Sequence, residues 1–125
     1  MSLKEELSRS HKNAIENVAS VMANIQVQAN EEMRKIIKDY VYPILRLIHR
    51  TNPREKTLSL RCEDQTVLHF DSSMCSIPHN LSFYYPKSNT VNLFIAATRV
   101  GPEMDLEVEE VDCGHAVIFK MTLDD

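Results

Sequence analysis

His69, Cys75, His79, Cys113 and His115 carry the imidazole nitrogens and thiol sulfurs from which a zinc site is usually built. The spacing His69-x5-Cys75-x3-His79 leaves room for a loop, yet it matches no standard finger pattern. His69 also falls on a strand-like alternation, where a hydrogen-bonded structural histidine is the ordinary occupant. Cys113-Gly114-His115 combines the residue types of a nucleophile and its base. Neighbouring positions in a turn rarely bring those groups together in the required order, so the tripeptide reads first as a hairpin turn with Gly114 at positive φ. With two glycines in all, Gly101 and Gly114, the chain has no G-x-G-x-x-G or P-loop cradle, and no G-x-S-x-G elbow is present. No catalytic, cofactor-binding or metal-binding residue is assigned, and the expected class is non-enzymatic.

The chain has 125 residues, 43% apolar and 26% charged, which suits one soluble domain spanning 1–125. No run approaches the roughly 18 apolar residues of a membrane span. The segment "MSLKEELSRSHK" lacks the apolar core of a secretory signal. Cys62, Cys75 and Cys113 form an odd set without a C-x-x-C pair, which favours reduced thiols and an intracellular setting, cytoplasmic or nuclear, away from membranes. Asn80-Leu81-Ser82 matches a glycosylation acceptor, a tripeptide too common to weigh against that setting.

The elements that must position any site begin with a long helix. Ser2-x-x-Glu5 resembles a capping box, placing the start near Leu3. Apolar residues then recur every eleven positions: Leu7, Val18, Ala29 and Tyr40 form one row, and Ala14, Ile25, Ile36 and Leu47 another. A third row holds His11, Met22, Met33 and Ile44, with His11 its polar member. An eleven-residue repeat means about 3.67 residues per turn, so the stripe runs nearly parallel to the axis. Ile15, Ile37 and Ile48 widen it beyond a two-stranded zipper seam.

Taken as one helix, residues 3–41 would span about 58 Å, against a diameter of about 28 Å for so small a domain. Part of the helix must therefore overhang, and its apolar stripe needs another surface, most simply a second copy. The expected oligomer interface is Val18, Met22, Ile25, Ala29, Met33, Ile36 and Tyr40. Pro43 predicts a kink or break and pushes Tyr42 away from helical angles. Asn52 and Pro53 end the helical association region at 1–52.

After residue 56 the period changes to that of strands. "TLSLRC", "TVLHF", "LSFYY", "TVNLFIAA", "MDLEVEEV" and "HAVIFKMT" predict an antiparallel β-meander of five or six strands over 56–123. Helix first and sheet second is the segregated α+β class. Alternation places Asp105, Glu107 and Glu109 on one strand face, with a bulge where Glu109-Glu110-Val111 departs from it.

Charge follows the same division. Residues 34–61 hold eight basic and two acidic side chains, and residues 62–125 hold three basic and eleven acidic. Arg34, Lys35, Lys38, Arg46 and Arg50 project opposite the stripe as a solvent or partner face. The expected function is self-association through the helix, with the sheet as a platform for another protein. The alternatives are nucleic-acid binding by the basic face of residues 34–61, disfavoured by a pI of about 5.7, and a small enzyme or ligand-binding domain.

Overall fold

Ser2 starts the helix as its pattern predicts, its hydroxyl accepting the Glu5 backbone N–H at 3.3 Å. The computed structural model describes residues 2–64, 67–78, 84–86 and 93–124. Helix α1 runs Leu3–Ile36, a single wide π turn follows at Ile37–Val41, and α2 continues over Tyr42–Thr51. Together they form one rod about 70 Å long at 1.5 Å per residue.

Pro43 does not break this rod. Tyr42 keeps helical angles, φ −60° and ψ −47°, and its N–H reaches back five residues to the Ile37 carbonyl. That longer reach opens the turn just before the proline. Pro43 then occupies the first turn of α2, where a missing donor costs little. The helix stops at Asn52, whose side-chain amide donates to the Ile48 carbonyl at 3.0 Å and the Met74 carbonyl at 3.1 Å.

Four strands of five residues or more carry the antiparallel sheet: β1 Thr57–Asp64, β2 Val67–Asp71, β4 Glu107–Val111 and β5 Ala116–Thr122. A three-residue segment, β3 Tyr84–Pro86, pairs along β2, and the order is β3-β2-β1-β5-β4. Among the described residues the sheet therefore falls short of five or six full strands, and it is no simple meander. β1 pairs with β5, and the chain crosses from one sheet edge to the other between β3 and β4. The run read as a strand at "TVNLFIAA" contributes helix α3, Leu93–Val100, which packs on α1. Residues 79–83 and 87–92, with His79, lie outside the described residues.

Alternation decides which sheet face is covered. Leu58, Leu60 and Cys62 of β1 point inward and are buried, as are Leu68, Phe70, Val117 and Phe119 of its neighbours. Ser59, Arg61 and Glu63 take the outer face. Ala29, Met33, Ile36, Ile37, Val41, Ile44, Leu45 and Ile48 of the rod close over the inner face with Phe94, Ala97 and Val100 of α3. One core thus joins helix and sheet.

Candidate association surface

The core begins at Ala29. From Leu3 to Gln28 every side chain is exposed except that of Ile25, which is half-buried. This length is about 39 Å of helix beyond the core. Leu3, Leu7, Ile15, Val18, Val21 and Met22 are all more than half exposed, Met22 at 65%. At 100° per residue these six fall within an arc of about 120°, and the buried Ala29, Met33 and Ile36 fall inside the same arc. The stripe that packs on the domain therefore continues, in line, onto the overhang.

The residues expected at an oligomer interface consequently divide. Val18 and Met22 are exposed and Ile25 is half-buried at the root of the overhang. Ala29, Met33 and Ile36 are buried in the chain's own core at 3%, 1% and 1% exposure, which removes them from any contact with a second copy. Tyr40 is half-buried and stacks on Phe70, ring centroids 6.3 Å apart. Periodicity alone treats the buried and exposed parts of the stripe alike, because both repeat in the same phase. Length separates them, since the sheet covers only part of the rod.

A second signal marks the overhang. Residues 17–30, "NVASVMANIQVQAN", contain no charged side chain. A solitary solvated helix is ordinarily supported by ion pairs at i, i+4 and by strong helix formers. Here there are three valines, three asparagines and an isoleucine, each less favourable than alanine by up to about 0.7 kcal/mol. In proteins most helical stability comes from packing of an apolar face, not from intrinsic propensity.

The basic face is only partly free. Arg34 donates to Glu103 at 3.1 Å, while Lys35, Lys38, Arg46 and Arg50 are exposed. Among the described residues, none of these last four has a carboxylate within ion-pair distance.

The acidic strand face is smaller than alternation suggested. Asp105 precedes β4 with φ +61°, in the left-handed region, and closes the short turn Gly101–Met104. Only Glu107 and Glu109 share a strand face, and the Glu107 to Val111 register against β5 is unbroken, without a bulge. Lys120 of β5 stands opposite Glu107 and binds Glu109 at 2.9 Å. The hydrogen bond that the Lys120 ammonium donates to Glu109 holds it above its ordinary range, with Glu107 adding to the effect.

The residues considered for metal or nucleophilic chemistry lie on separate elements, except that Cys113 and His115 share one turn. His69 is half-buried on β2, Cys75 is half-buried in the segment after it, and Cys113 and His115 are exposed at the β4–β5 turn. Gly114 takes φ +86° in that turn, and Asp112 and Cys113 are also left-handed at +52° and +57°. Asp112 is held there by Arg61, which also donates to Glu63 at 2.9 Å. Those two carboxylates, Glu63 first, raise the Arg61 guanidinium above its ordinary range.

Among the described residues, no group of three or more metal-binding side chains comes together, and no helix is long and apolar enough to cross a membrane. No family model matches the chain, and no curated protein or solved structure matches it.

Proposed function

We propose that this protein is a self-associating interaction module in which the helix of residues 3–28 packs against the same helix of a second copy. The observation carrying this reading is the exposed stripe, collinear with the buried one and interrupted by no charge from residue 17 to residue 30. Each valine, leucine, isoleucine or methionine side chain removed from water contributes about 1.5–3 kcal/mol before the entropic cost of association. Half a dozen such side chains on each partner are enough for a specific pair. The stripe is wider than a zipper seam, so a small bundle fits it as well as a pair of helices.

Val18→Asp with Met22→Asp tests the proposal, because it sets charges in the apolar contact while touching nothing in the chain's core. The expected result is a parent heavier than a monomer by light scattering at micromolar concentration and a monomeric variant with an unchanged circular dichroism spectrum. A monomeric parent, or a variant that keeps the parent's mass, refutes self-association through this stripe.

A further inference from the structure

A groove of about 280 Å³ opens between α2 and one end of the sheet. Leu45 and Leu58, both buried, form its floor, while Met121 and Leu123 are half-buried along it and Arg46 and His49 stand exposed at its rim. The strand register explains why apolar surface is left here. Leu58 faces Met121 at the end of the β1–β5 ladder, and Leu123 follows, its N–H donating to the Lys56 carbonyl at 2.7 Å. The inner sheet face thus runs on past the side chains with which α2 covers it.

Two properties define what fits. Pockets that enclose small organic ligands commonly measure about 300–1,000 Å³. This groove is just below that range and open to solvent, which suits one or two side chains presented by a larger partner. The second property is charge. Arg34, Arg61 and Lys120 are answered internally, by Glu103 at 3.1 Å, Glu63 at 2.9 Å and Glu109 at 2.9 Å, whereas Lys35, Lys38, Arg46 and Arg50 have no carboxylate at ion-pair distance among the described residues. Of these, Arg46 lines the groove and Arg50 follows one turn further along α2. An apolar slot with an unanswered arginine at its rim and a second one turn along the helix is complementary to apolar side chains flanked by carboxylates.

We propose that this groove docks an acidic amphipathic helix of another protein. Leucine-sized side chains at i and i+3 or i+4 enter between Leu45, Met121 and Leu123, and glutamates or aspartates beside them meet Arg46 and Arg50. The groove is on the folded domain and the self-association stripe is on the overhang, so the two proposals stand separately.

The test is a titration of the full chain with a designed helix of about 16 residues carrying leucines at those spacings and glutamates between them. Backbone amide shifts give the readout. Three further probes are a lysine-for-glutamate twin, a serine-for-leucine twin and a single-stranded RNA. The acidic leucine peptide is expected to move signals at Leu45, Arg46, His49 and Met121, and Arg46→Glu with Arg50→Glu to weaken it about tenfold or more.

Both substitutions are at exposed positions, so the fold is retained. The same variant should gain affinity for the lysine twin. No binding at about 1 mM peptide in low salt overturns the proposal. Equal binding of the serine twin also overturns it, since charge alone would then suffice. So does RNA binding abolished by the same two substitutions, which would make the rim a phosphate surface. Binding of the chain's own residues 2–14, with the designed peptide silent, would replace the outside partner by a second copy. Running the titration on the Val18→Asp, Met22→Asp variant as well keeps failure of self-association distinct from failure of the groove.

Discussion

Gly101 begins the short helical turn that feeds β4, and a Cβ added there strikes Val108 Cγ2 and meets the Leu106 carbonyl oxygen at 3.3 Å. Neither neighbour can retreat cheaply, because Val108 faces Phe119 across the ladder and the Leu106 N–H is bonded to the Gly101 carbonyl at 2.9 Å. Gly101→Ala is therefore expected to cost about 1–3 kcal/mol and to lower the melting temperature by about 3–10 °C. Adding Val108→Ala, which removes the struck methyl, should make the double variant more stable than the sum of the single losses. Strict additivity in thermal melts would show that the contact is not the cause.

At this scale the sequence is uneven in what it reveals. Gly114 was legible, because Asp-Cys-Gly between two strand-like runs asks for a residue at positive φ. Asp105 was not, because apolar and acidic residues alternate straight through it. Its left-handed backbone follows from the bond between Leu106 and Gly101, which leaves no pattern in side-chain type.

Among the elements, β4 is an edge of the sheet and presents Glu107, Glu109 and Glu110 to solvent. Carboxylates on an edge strand oppose pairing with another chain, whereas Lys120 already answers the face shared by Glu107 and Glu109. Replacing all three glutamates by threonine is expected to leave the oligomeric mass at low micromolar concentration unchanged and to make the protein aggregate as concentration rises. A change in that mass without aggregation would assign the strand to the association surface instead. The helix-then-sheet order was readable because a 3.6-residue period gives way to a two-residue period near residue 56. The α3 segment was misread for the same physical reason that short apolar runs are ambiguous. Phe94, Ala97 and Val100 lie at helical spacing and are buried on one face, but in an eight-residue run that also holds β-prone Ile95 and Thr98 the pattern resembles a covered strand. The local cost of Pro43 predicts a kink or break, and a single π turn just before it lets the helix continue into α2.

For the whole molecule, the decisive feature is that a rod of about 70 Å is attached to a domain that covers less than half of it. No described residue before Ala29 belongs to the core, so the domain owes its own stability to residues from there onward. Removing residues 2–24 is accordingly expected to leave a folded monomer with cooperative thermal unfolding. The parent should behave differently in one respect. If association occurs only through the folded rod, mass action stabilises the parent by RT ln(1 + [L]/Kd), where L is the free second copy, and its melting temperature rises with protein concentration. A hundredfold excess over Kd corresponds to about 2.7 kcal/mol. The shortened chain should melt at one temperature across the same concentration range, matching the dilute limit of the parent. Two measurements decide the matter: light scattering for mass, and circular dichroism melts at concentrations spanning about two decades around Kd. A shortened chain that fails to fold would make the overhang part of the folding unit. A parent whose melting is independent of concentration would leave its stripe without a second copy to cover it.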